Sequence, residues 1–128
     1  MPDPAKCRYT KTHEWVSFEA GEALVGVSEH AQHEISDVVF VDLPKHGRKV
    51  APGEAVAVVE SVKAAFDIYA PVAGEVAAVN GDLAADPALV NRSPQDKGWL
   101  FKLKGADAAQ AAALMSFDDY EAFLKTAH

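Results

Sequence analysis

The feature that most constrains this chain is a train of short apolar runs cut apart by Gly, Pro and charged residues. The runs are Glu14 to Phe18, Ala23 to Val27, Val38 to Leu43, Ala55 to Val59, Phe66 to Tyr69, Glu75 to Val79 and Leu100 to Lys104. Val, Phe and Ile dominate them, and segments of this kind read as β-strands. The interruptions carry turn chemistry. Ala20-Gly21-Glu22 closes a first hairpin, and Pro52-Gly53 has the Pro and Gly placement of a type II turn. Gly74 and Asn80-Gly81 mark two further reversals. So many short strands at close spacing predict a small barrel or sandwich, not a parallel sheet with crossover helices.

Helices are expected only at the margins. Ser28 is placed to cap a short helix running to about Ile35, with Ala31 and Ile35 on its apolar side. Asp107 to Gln110 has the form of a capping box opening an Ala-rich turn, and Ser116 to Asp119 repeats the device with a carboxylate. Tyr120, Phe123 and Leu124 then make an apolar stripe that can pack back on the sheet. The expected layout is one domain over 1–128, with a β core of about 9–104 and a C-terminal helical segment of about 107–126. Pro52-Gly53-Glu54 before Ala55-Val56-Ala57-Val58 faintly matches Gly74-Glu75 before Val76-Ala77-Ala78-Val79, a similarity too short to decide anything.

Composition narrows the partners. With 128 residues, 49% of them apolar, the chain fits one compact domain with a sizeable core. The 19 acidic residues against 12 basic give a net charge of −7, which argues against nucleic acid or an anionic membrane as partner. No run approaches the ~20 apolar residues that span a bilayer. The N-terminal residues Met1-Pro2-Asp3-Pro4 lack the basic and apolar regions of a secretory signal. Cys7 is the only cysteine, so no intrachain disulfide forms, which suits a reducing compartment.

Chemistry concentrates around Lys63. Ala55-Val56-Ala57-Val58-Val59 precedes Glu60-Ser61-Val62-Lys63-Ala64-Ala65, and Phe66-Asp67-Ile68-Tyr69 follows, which is the layout of a hairpin with Lys63 near its tip. A lysine in a turn commonly does no more than keep a hairpin soluble. The wider sequence says more. Glu60-Ser61-Val62-Lys63-Ala64, followed by Tyr69-Ala70-Pro71-Val72-Ala73-Gly74-Glu75-Val76, resembles the lipoylation segment of the glycine cleavage H-protein family. The resemblance runs along nearly the whole chain. It includes Tyr9-Thr10-Lys11-Thr12-His13-Glu14-Trp15-Val16, Val25-Gly26-Val27-Ser28 with Ala31-Gln32, Val38 to Pro44, Leu89-Val90-Asn91 and Gly98-Trp99-Leu100. The chain departs from the pattern at Gln95, where Tyr is expected, and at Glu34, where some members carry His.

The resemblance implies a mainly β, lipoyl/biotinyl-type barrel-sandwich hybrid with short flanking helices, including a C-terminal one. It implies lipoate joined in an amide to the side chain of Lys63, on a carrier with no catalytic residue of its own. The implied partners are a pyridoxal-phosphate glycine decarboxylase, an aminomethyltransferase, dihydrolipoyl dehydrogenase and a lipoate-attaching enzyme, in a bacterial-type cytoplasm or, for a processed form, the mitochondrial matrix. Glu60 and Gly74 match positions read during lipoylation, and Glu14 and Asp67 match positions lining the cleft where the arm docks. Strand alternation supports the last point: Asp67 and Tyr69 share one face, while Phe66 and Ile68 point oppositely. For Gly74 a tight turn is the competing explanation, and both acids could be ordinary solvated residues.

Other readings carry less. A relay that hands lipoyl or octanoyl groups to other acceptors keeps the carrier and changes its work. A biotin carrier would place Met on both sides of the lysine, where Val62 and Ala64 stand, and a lipoyl domain of an acyltransferase would be followed by an Ala/Pro linker. His30 and His33, with Glu29 and Glu34, have metal-ligand spacing on a helix, the basis for a small metal hydrolase. Surface histidines so spaced are usually unliganded, and His13, His46 and His128 add no pattern. Cys7 has no neighbouring base in a motif, and no phosphate-binding glycine loop occurs. Given the charge, Trp15, Trp99 and the six Phe read as core or cap residues and not as a stacking platform.

Overall fold

A computed structural model describes residues 3–19 and 21–126. Met1, Pro2, the Ala20 of the expected first turn, Ala127 and His128 lie outside the described residues. Two antiparallel sheets form the body. The larger contains β1 (Arg8–Tyr9), β2 (Glu14–Glu19), β3 (Glu22–Val27), β5 (Lys49–Val50), β8 (Gly74–Val79) and β9 (Phe101–Lys104), in the order β1-β2-β3-β9-β8-β5. The smaller contains β4 (Val38–Asp42), β6 (Ala55–Ser61) and β7 (Ala65–Tyr69), in the order β4-β6-β7. All seven expected strands are present, with ends shifted by a residue or two. The two-residue strands β1 and β5 are additions.

The helices are short: α1 (Glu29–Ile35), α2 (Asp82–Ala85), α3 (Leu89–Arg92), α4 (Ala108–Ala112) and α5 (Phe117–Thr126). Ser28 caps α1 as expected, its Oγ accepting from Ala31 N–H at 3.1 Å. The capping box at Asp107 is only half made. Asp107 accepts from Ala109 N–H, whereas Gln110 turns away and accepts from Ala73 N–H at 2.8 Å, tying α4 to the start of β8. Asn80-Gly81 opens α2 instead of a hairpin, with Gly81 in the helical region. The Pro52-Gly53 turn has the expected form: Gly53 sits at φ +81°, and Glu54 N–H closes onto Ala51 O.

Burial of Val, Leu and Phe side chains, at ~1.5–3 kcal/mol each, drives the two sheets together. The main cluster joins Val16, Val25, Phe101 and Leu103 of the larger sheet to Val41, Val59 and Ile68 of the smaller. A second cluster lies under the C-terminal helix. Its members are Cys7, Tyr9, Trp15 and Tyr120, with Phe117, Phe123 and Leu124 packed against it. The Tyr9 and Tyr120 rings stack with centroids 4.5 Å apart. The stripe on α5 therefore does pack back, onto β1. Trp15 is core, as expected, and Trp99 is half-buried against this cluster.

Candidate functional site

The smaller sheet presents one face to the core and the other outward. Val41, Val59 and Phe66 form one cross-strand row on the inward side. The rows Phe40–Glu60–Ala65 and Asp42–Val58–Asp67 alternate with it and face out. At the open end of this sheet, residues 62–64 connect β6 to β7.

The turn is held by short polar bonds. Ser61 N–H donates to Ala64 O at 2.9 Å, and Ser61 Oγ accepts from the N–H groups of Lys63 and Ala64 at 3.0 and 3.2 Å. Val62 N–H donates to Asp37 O at 3.0 Å, so the segment between α1 and β4 braces the tip. Lys63 is thus carried on a rigid support while its side chain remains exposed. Its Nζ donates to the Glu34 carbonyl in the last turn of α1 at 3.3 Å, an arrangement that the negative end of a helix favours. Among the described residues it makes no ion pair with a carboxylate.

Glu60 is exposed on the outward face three residues before Lys63, and Asp67 is exposed on the same face. Gly74 has a different reason to be glycine from the tight turn considered above. It is the first residue of β8, without a left-handed φ, and a Cβ there would lie 2.9 Å from Leu103 Cβ and 3.1 Å from Lys104 O. Close approach of β8 to β9 demands the missing side chain.

Glu14 and Asp67 are not brought together as two accessible acids. Glu14 is only 1% exposed. Its Oε1 accepts from the hydroxyls of Thr10 at 2.6 Å and Thr12 at 2.5 Å, and its Oε2 accepts from Tyr69 N–H at 3.2 Å. The carboxylate therefore clips β2 of the larger sheet to β7, the edge strand of the smaller. Burial pushes its pKa above the ordinary carboxylate value, and the three donors pull it partly back.

A pH dependence follows from that direction. Because the folded chain holds this proton more tightly than the unfolded chain, the group's stabilising contribution is present below the unfolded pKa. It is lost as pH rises through the raised folded value. Glu14→Gln keeps the shape, with its amide N–H groups turned to the threonine hydroxyls and its oxygen to Tyr69 N–H. The unfolding free energy of Glu14→Gln relative to the unsubstituted chain is expected to rise as pH increases from the ordinary carboxylate range through the raised folded value. Denaturant titrations at a series of pH values check this, and a flat difference would mean that Glu14 feels no burial.

His30 and His33 do not assemble a metal site. No group of three or more His, Cys, Asp or Glu with metal-binding geometry occurs among the described residues. His30 instead lies 3.5 Å from Glu34 and packs its ring 4.7 Å from that of His13. Burial raises the Cys7 thiol to about 11, far from the range of a reactive thiolate. Gln95, a departure from the expected pattern, contacts Cys7 in the second cluster, whereas Glu34 lies directly beside Lys63. The support given by Ser61 was not among the expectations, although serine two residues before a turn tip is a known local signal.

No helix among the described residues is long and apolar enough to cross a membrane. The family model for the glycine cleavage H-protein matches residues 7–127. A glycine cleavage system H protein of Klebsiella pneumoniae is 53% identical over 123 residues, covering 95% of each chain. One from Thermotoga maritima is 49% identical over 116 residues, covering 91% of this chain and 94% of that one. The crystal structure of a glycine cleavage system H protein from Mycobacterium marinum superposes with a TM-score of 0.85 at 31% identity, covering 96% of this chain and 99% of that chain. With its two-sheet fold and its braced, exposed lysine, the chain belongs to the glycine cleavage H-protein family, the lipoyl carriers of the glycine cleavage system.

Proposed function

We propose that Lys63 is the lipoyl attachment point and that the whole chain works as one carrier domain in a bacterial-type cytoplasm. It takes the aminomethyl group of glycine from the decarboxylase to the aminomethyltransferase, and electrons to dihydrolipoyl dehydrogenase. The observation that carries this reading is the environment of Nζ: exposed, at a braced hairpin tip, and held by one carbonyl alone at 3.3 Å. A bound lipoyl group supplies a dithiolane, which accepts a one-carbon unit and electrons as no side chain does. The chain's own residues display it and dock it.

About a dozen bonds of ~1.5 Å, zigzagged, let the arm reach roughly 15 Å from the Lys63 Cα. Asp67 lies four residues along β7, about 13 Å away at ~3.3 Å per residue. It lines a groove of about 480 Å³ with Asp42, Leu43, Lys45, Arg48 and Val58. Asp67 is the docking carboxylate that a cationic amine on the arm would meet first. Glu14 accepts such an amine only if the exposed Thr12 hydroxyl turns away from it, so its first duty is to hold β7. Glu60 is a recognition residue for the lipoate-attaching enzyme. Gly74 contributes to recognition through the β8–β9 surface that its close packing shapes.

Intact mass before and after incubation with a lipoate-attaching enzyme, ATP and lipoate tests the attachment. One lipoyl group should be gained, and peptide mapping should place it on Lys63; a map that puts it elsewhere ends the proposal. Glu60→Gln removes a charge and little volume from an exposed site. It should lower kcat/KM of lipoylation roughly 3–10-fold without changing the thermal midpoint, the usual scale for one interfacial charge. Donation of the group to other acceptors, without glycine-dependent carbon dioxide exchange, would mark the relay instead.

A further inference from the structure

Large apolar side chains exposed on this chain are few, and they are not scattered. Val39, Phe40 and Val62 are 54%, 52% and 69% exposed, and among the described residues no other large apolar side chain is exposed to this degree. All three sit at the end of the smaller sheet that carries Lys63. Val62 is its chain neighbour. Val38 pairs with Ser61 and Phe40 with Glu60, and the register slips by one residue between them. That bulge turns two consecutive residues, Val39 and Phe40, outward where alternation would bury one of them. Glu34, Asp37 and Glu60 are exposed around the same corner. The Asp37 and Glu60 carboxylates make no ion pair among the described residues.

An apolar centre edged by the unpaired carboxylates of Asp37 and Glu60 costs solubility and adds nothing to the fold, which marks it as a contact surface. Its occupant follows from geometry. Enzymes that act at the far end of the arm can stand off by the arm's length of roughly 15 Å. An enzyme that acylates Nζ cannot, because its active site must close over Lys63 itself and so must cover Val62 and the neighbouring strand. We infer that Val39, Phe40 and Val62 form the docking surface for the acylating enzyme, which meets them with an apolar socket edged by basic residues. This rests on Lys63 being the acceptor. In the step itself, deprotonated Nζ attacks the carbonyl carbon of an acyl-adenylate made from ATP and lipoate. The amide C–N bond forms, AMP departs with the electron pair, and the nitrogen's proton passes to solvent.

The test compares the unsubstituted chain with Val39→Ser and with the double variant Phe40→Ser/Val62→Ser, using a lipoate-attaching enzyme, ATP and lipoate. These positions are exposed, so circular dichroism and the thermal midpoint should be unchanged. Acylation kcat/KM should fall about tenfold or more in the double variant, mostly through KM, as loss of a central apolar anchor does. Labelling of Lys63 by a small amine-reactive ester should be unchanged. Variants driven to full lipoylation should support glycine-dependent carbon dioxide exchange at the ordinary rate. Equal acylation rates, or intact acylation with lost exchange, would overturn the inference while leaving Lys63 as the acceptor. An unsubstituted chain that gains no group on Lys63 would remove both.

Discussion

Lys63→Arg is expected to abolish lipoylation, and with it all glycine-dependent carbon dioxide exchange that the chain supports. Arginine keeps the positive charge, the length and the ability to donate to the Glu34 carbonyl, which accepts from Nζ at 3.3 Å. What it lacks is a nucleophile. The guanidinium remains protonated at any working pH, and its lone pairs are delocalised, so no amide forms. Since Lys63 is exposed, the folding free energy should change by no more than about 0.5 kcal/mol. Mass spectrometry should show no added group under conditions that fully load the unsubstituted chain. A loaded Lys63→Arg chain would show that another amine is the acceptor, and the carrier mechanism would have to be rebuilt around that residue.

The fold was readable because its strands are bounded by strong punctuation, and the site only partly so. Seven apolar runs separated by Gly and Pro were enough to predict a small barrel or sandwich, and the structure has two packed sheets. The strands β1 and β5 escaped because two residues carry no periodicity. The helices α2 and α3 escaped because four residues cannot show a helical repeat. Lys63 was placed at a hairpin tip by pattern, but the role proposed for it came from family resemblance, since a turn lysine by itself means little. Burial of Glu14 was invisible because its partner Tyr69 is 55 residues away in sequence. The pairing of His13 Nδ1 with Tyr120 Oη at 2.7 Å spans 107 residues, and no local signal announces it. The bulge at Val39 depends on the register between β4 and β6, which sequence alternation alone would have drawn straight.

Trp15→Ala should be the most destabilising single change in the second cluster, costing about 3–5 kcal/mol of folding free energy. Three features make the site intolerant. Trp15 is fully buried, so truncation leaves a void among Cys7, Tyr9 and Tyr120 that closed sheet packing cannot collapse. Its indole N–H donates to Pro94 O at 2.9 Å, and the carbonyl would lose that partner in a buried setting. Its ring also lies across Gly26, the residue paired with it on β3, where a Cβ would fall 2.6 Å from the ring. For a chain of this size the loss corresponds to a fall in thermal midpoint on the order of 10–20 °C, measurable by calorimetry. The contact with Gly26 supplies a sharper check. Gly26→Ala should destabilise by itself because the ring must shift, yet in the Trp15→Ala background the added methyl enters vacated space. The double variant should then lose less than the sum of the two single losses. Strict additivity would mean that the ring does not rest on Gly26. The Lys63 hairpin packs into the other cluster, so both variants should still be acylated when assayed well below their midpoints. Stability of the second cluster and delivery of the amine are in that sense separate properties of the chain.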